Sequence, residues 1–171
     1  MTSATKINSP KLNLDEKTSF DNVGTARNYG IVLGVLTSIY LVIINLSYGN
    51  GGEEVVGVPI GARFAKHLLI IPVLWMAITT YAKTMTKGHI FKGGLELFAR
   101  IAMWAALTIG ALNLAFFLIT SSSFEQFLNE GETFLTATVN SGFLIFETVV
   151  FVMIVGFIIL QAFKDGGSPE D

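Results

Sequence analysis

Four apolar blocks, at roughly 28–48, 63–83, 100–120 and 143–163, set what this chain can fold into. Each is about 20 residues long, enough at 1.5 Å per residue to cross the roughly 30 Å of hydrocarbon in a bilayer. A buried helix in a soluble protein can be apolar all round, but four of them in 171 residues would leave no polar surface to dissolve the chain. Charged residues make up only 14% of the sequence, against about 25% in soluble domains. The expected class is all-α: a four-helix transmembrane bundle with short amphipathic interfacial segments.

The flanks divide the chain around that bundle. Residues 1–27 are polar and read as a flexible segment, 28–163 as the membrane bundle, and 164–171 (KDGGSPED) as a flexible tail. The N-terminal stretch has no apolar core of the signal-peptide kind, so the first span is expected to serve as an uncleaved anchor. Basic residues in loops set orientation. Lys6, Lys11, Lys17, Arg27, Lys83, Lys87, Lys92, Arg100 and Lys164 fall on one side of a four-span chain, and only Arg63 and Lys66 on the other. Nine against two predicts that both termini are cytoplasmic, with Glu53, Glu54, Glu125, Glu130 and Glu132 outside, in the cytoplasmic membrane of a bacterium.

The outer loops carry no recognisable chemistry. GNGGEEVVGVPIGA, residues 49–62, is glycine-rich, but its spacing fits no phosphate loop and its two glutamates would repel phosphate. In residues 121–142, Phe124, Phe127 and Leu128 follow a helical i, i+3, i+4 spacing behind serines that can cap a helix. That pattern predicts a short amphipathic helix on the outer membrane surface. On the inner side, HIFKGGLELFAR places Phe91, Leu95 and Phe98 together and is expected to lead span three in along the interface.

What is missing excludes much. There is no cysteine, and hence no thiol catalysis, disulfide exchange or iron–sulfur ligation. The two histidines, His67 and His89, are expected about a membrane thickness apart and cannot share one haem iron or zinc. No metalloprotease helix, nucleophile elbow or aspartate pair is present. The expectation is a protein that is not an enzyme, with no cofactor, no metal and no nucleic-acid partner.

Small residues mark the helix-packing faces, since membrane helices associate by close approach. Gly30 and Gly34 begin one such stripe on span one, and Ala102, Ala106 and Gly110 form another on span three. Both read as packing seams within the bundle, and Pro72 is expected to kink span two.

The polar residues inside the spans are the candidate site. With each span taken as 20 residues, Asn45, His67, Asn113 and Glu147 lie about 5–10 Å below the outer boundary, one from each span. Asn140 shares the face of Glu147. A carboxylate in hydrocarbon needs a partner, and His67 or Lys66 at matching depth are the candidates. Two roles are open. Glu147 could anchor a hydrogen-bonded clasp that fixes helix packing, or it could mark a proton, cation or ligand site open to the outside.

Three stretches carry a family resemblance: RNYGIVLGVL at the start of span one, KGHIFKGGLELFARIAMW entering span three, and SFEQFLNEGETF before the last span. The chain resembles a family of small four-span bacterial membrane proteins classed as a domain of unknown function, mostly from Bacteroidota. Its tail, FKDGGSPED, departs from the basic end of that pattern. The resemblance implies the four-helix membrane fold and no site residues. The function expected is that of an accessory or structural subunit of a membrane complex. Its partners would be the lipid bilayer and other membrane subunits or a second copy. The alternative is a small transporter or channel using the polar cluster around Glu147.

Overall fold

The structure is a computed structural model, and it describes residues 14–48, 59–83, 90–121, 124 and 133–165. In chain order these form α1 (Leu14–Tyr48), α2 (Ile60–Ala65), a 3-10 turn (Lys66–Leu69), α3 (Ile70–Ala82), α4 (Ile90–Thr120) and α5 (Phe134–Asp165). No strand occurs among the described residues. Four stretches are long and apolar enough to span a bilayer: Val23–Tyr48, Gly61–Ala82, Phe91–Thr120 and Phe134–Phe163. The chain is an all-helical, multi-pass membrane protein.

α4 packs along both α1 and α5, while α2, the 3-10 turn and α3 together form one interrupted span that packs against α1 and α5 and touches α4. Without a hydrophobic driving force in lipid, these contacts depend on close approach. A Cβ at Gly30 would sit 2.5 Å from Trp104 Cβ, and one at Gly34 would sit 2.6 Å from Thr108 Cβ, so only glycine lets α1 lie this near α4. On α4, Gly110 meets Ile145 of α5, and Ala102 and Ala106 are buried. Gly30 and Gly34 thus serve the α1–α4 contact and Gly110 the α4–α5 contact.

Hydroxyl side chains inside the spans close on their own helix. Ser38, Thr108, Ser141 and Thr148 each donate to the carbonyl four residues earlier, at 2.7–2.8 Å. That satisfies polar groups which hydrocarbon cannot solvate.

Several boundaries differ from those read along the sequence, each for a local reason. α1 begins at Leu14, well before residue 28, so part of the polar segment 1–27 is helical. α5 begins at Phe134 rather than at 143, because Thr133 caps it: its hydroxyl accepts the Thr136 N–H at 3.2 Å. Residues 134–142 thus belong to the span, and Phe124 does not lie on the membrane surface as an amphipathic helix would place it. It is 6% exposed, in a core cluster with Leu41, Ile109 and Leu144. Phe127 and Leu128 lie outside the described residues.

At the other end of the bundle, Ile90–Arg100 is continuous with the rest of α4, with Phe98 fully buried against Gly156 and Gly93 against Tyr81. Span two is interrupted where Pro72 acts. Proline has no N–H for the Leu68 carbonyl and its ring crowds that carbonyl, and the preceding residues, Lys66–Leu69, tighten into the 3-10 turn.

Candidate functional site: a charged clasp halfway down the bundle

Glu147 lies thirteen residues after Phe134 and sixteen before Phe163, about 20 Å and 24 Å along the helix. It therefore lies near the middle of the apolar helix Phe134–Phe163, which starts well before the residue 143 expected from the sequence. The early start of α5 is the reason. The partner span starts late: the Tyr40 hydroxyl donates to the Ala62 carbonyl at 2.8 Å, which ties α2 to α1 two turns below Tyr48. This offset brings residues near the start of span two level with the centre of α5.

Both oxygens of the Glu147 carboxylate are engaged. Lys66 Nζ donates to Oε2 at 2.7 Å, and His67 Nε2 lies 2.9 Å from Oε1. An ionised carboxylate only accepts, so Nε2 carries the proton in this bond. Adjacent residues on a regular helix diverge by about 100°. The two reach one carboxylate from the 3-10 turn, Lys66 by its long stem and His67 by its ring. Lys66 is 4% exposed and Glu147 29% exposed, so the ammonium is enclosed while the carboxylate is half-covered.

The imidazole is fixed on its other face. Phe151 stacks flat on it, with ring centroids 3.6 Å apart and planes 7° from parallel, and Phe64 lies tilted at 5.8 Å. Phe151 played no part in the sequence reading. Its i+4 spacing from Glu147 on one helix face was the available signal.

The asparagines form a second group nearer the Tyr48, Thr120 and Phe134 ends of the helices. Asn113 is fully buried; its Nδ2 donates to Ser141 Oγ at 2.8 Å, and its Oδ1 accepts the Phe124 N–H at 2.7 Å. Asn45 Nδ2 donates to the Phe124 carbonyl at 3.4 Å. The backbone of Phe124 is thereby held on both sides by two helices. Asn140, 7% exposed, lies next to Ser141 on α5. Leu144, 2% exposed, separates this group from the charged one along α5. Of the six polar candidates, the structure joins Glu147, His67 and Lys66 directly, and Asn113 and Asn45 through Phe124.

Between the charged group and α1 lies a chamber of about 10 Å³, lined by Thr37, Lys66, His67 and Thr148 and by the apolar Leu33, Ile70 and Leu144. A larger groove of about 450 Å³ runs between the C-terminal halves of α1 and α4, almost wholly apolar, with Ser38 and Ala115 among its walls. Among the described residues no group of three or more His, Cys, Asp or Glu could hold a metal ion. No family model, curated protein or solved structure matches this chain.

Proposed function

We propose that this protein is a non-enzymatic accessory or structural subunit of a complex in the bacterial cytoplasmic membrane. Both termini would face the cytoplasm, as the nine-to-two distribution of basic residues implies. The family it resembles, small four-span membrane proteins of Bacteroidota, fits the same reading. One observation carries it: the intramembrane carboxylate is engaged by its own bundle, through Lys66 and His67. A carboxylate committed on both oxygens acts as a fastener. A transport site would have to release those bonds at each cycle.

The groove between α1 and α4 supports a protein partner. Its outer walls carry Val35, Ile39, Leu112 and Ile119, and the small residues Ser38 and Ala115 allow close approach. Its occupant in this reading is a transmembrane helix of the partner subunit. The transporter reading draws less support, because Leu144 interrupts the polar groups that would have to form a path.

Solubilisation into lipid-containing polymer discs, followed by mass spectrometry, tests the proposal. A stoichiometric partner is expected, and Ile39→Trp or Leu112→Trp in the groove should release it. A bare monomer would refute the subunit role. A homo-oligomer without other proteins would favour the channel alternative.

A further inference from the structure

Arg27 and Lys92 lie inside the apolar spans with no counter-ion from the protein. Arg27 follows Val23, where the first span begins, by about 6 Å of helix, and Lys92 is the second residue of the third span. Both are exposed, and neither makes a hydrogen bond or ion pair among the described residues. The glycine seam brings Arg27 to the cations of α4. Gly30 approaches Trp104 and Gly34 approaches Thr108, so the two helices run parallel in one register, and a turn earlier Ala26 comes level with Arg100. Arg27 therefore stands beside Arg100, whose guanidinium bonds Glu96 one turn before it on α4. Lys92 lies a further turn before Glu96. Three cations against one carboxylate leave this end of the seam positive.

We propose that this end of the α1–α4 seam binds the headgroup of an anionic phospholipid, with Arg27 and Lys92 on its phosphate. A guanidinium matches a phosphate through two parallel N–H···O bonds, and an ammonium adds a point charge. The neighbouring surface suits acyl chains: Ile31 on α1 and Met103 and Leu107 on α4 are exposed within about two turns of Arg27 and Arg100. Trp104, partly exposed at the level of Gly30, supplies the amphipathic ring that favours the junction of headgroup and chain. A zwitterionic lipid brings its own ammonium, which these cations repel, so the site selects by net charge. An acidic peptide would match the cations but not the apolar flank beside them. The lipid also offsets the cost of holding a cation at the edge of hydrocarbon, because its phosphate supplies the counter-charge that the protein does not.

Tryptophan gives a local readout, because Trp75→Phe leaves Trp104 as the only one in the chain. In vesicles of phosphatidylcholine and phosphatidylglycerol, bromine on the acyl chains of either lipid quenches Trp104 at contact. Brominated phosphatidylglycerol should quench more strongly at equal mole fraction, and raised salt should weaken that preference. Arg27→Gln should lower the preference about fivefold, and Glu96→Gln, which releases Arg100, should raise it about fivefold. Arg63→Gln, next to Ala62 at the Tyr40 level of α1, should leave it unchanged. Equal quenching by the two lipids, an unchanged preference in Arg27→Gln, or an equal fall in Arg63→Gln would overturn the site. Native mass spectrometry of the unaltered protein, released from vesicles of the same two lipids, should find phosphatidylglycerol retained over phosphatidylcholine. Retention in proportion to the bulk composition would also sink the proposal, and that measurement needs no variant to fold.

Discussion

Replacing Glu147 by glutamine removes its charge and little of its shape. A clasp built on hydrogen bonds alone would tolerate that change, since the amide oxygen still accepts from His67. The structure points the other way, because Lys66 is 4% exposed and its ammonium sits 2.7 Å from Oε2. Breaking a buried ion pair by removing one partner costs about 3–5 kcal/mol, most of it from the stranded charge. The low end, about 3 kcal/mol, is the expected minimum, since the exposed 29% of the carboxylate faces lipid, which does not screen the pair. At about 2–4 °C per kcal/mol for a chain of this length, the melting temperature should fall by about 6–12 °C. Thermal unfolding of purified protein in mild detergent, followed by circular dichroism, measures this directly. Removing both charges should undo most of the damage, because no buried charge is then left unpaired and the amide oxygen still accepts from His67. Lys66→Met combined with Glu147→Gln is thus expected within about 1 kcal/mol, or about 2–4 °C, of the parent. If Glu147→Gln alone melts within about 2 °C of the parent, or the double variant is as unstable as the two single losses added, the charged clasp is wrong.

Other interfaces make separate predictions. Gly34→Ala should destabilise by about 1–3 kcal/mol, since its Cβ would meet Thr108 Cβ at 2.6 Å. Gly24→Ala, with nothing within 4 Å, should be neutral or stabilising by up to about 1 kcal/mol, read in the same melting assay. Asn113→Leu strands the Phe124 N–H and should cost about 1–3 kcal/mol, with faster hydrogen exchange at that amide; Asn113→Asp, which keeps the acceptor, should slow it again. Because the chain lacks cysteine, single cysteines report topology cleanly: Asn50→Cys should react with an impermeant maleimide on intact cells, and Thr86→Cys only after permeabilisation. The reverse pattern would invert the orientation.

The number of spans and the helical class were readable from the chain itself, because hydrocarbon permits so few backbone solutions to an apolar stretch of this length. The need of Glu147 for a cationic or imidazole partner was readable too, for the same reason: a lone carboxylate in lipid is costly wherever the helices lie. The start of α5 was not readable. Residues 134–142 (FLTATVNSG) carry enough Thr, Asn, Ser and Gly to read as loop, yet the hydroxyls of Thr138 and Ser141 find carbonyls of their own helix once it forms, and the Thr133 cap starts α5 more than two turns early. Nor could a sequence show that span two starts late, or that a 3-10 turn before Pro72 delivers two consecutive side chains to one carboxylate. Hydropathy is a property of each segment alone, so it determined that four segments enter the membrane. Register is a property of pairs of helices, set by Gly30 and Gly34 against α4 and by Gly110 and Gly156 between α4 and α5. Only those contacts decided that Lys66 and His67 meet Glu147 midway along α5, while Asn113 and Asn45 hold Phe124 in a separate place.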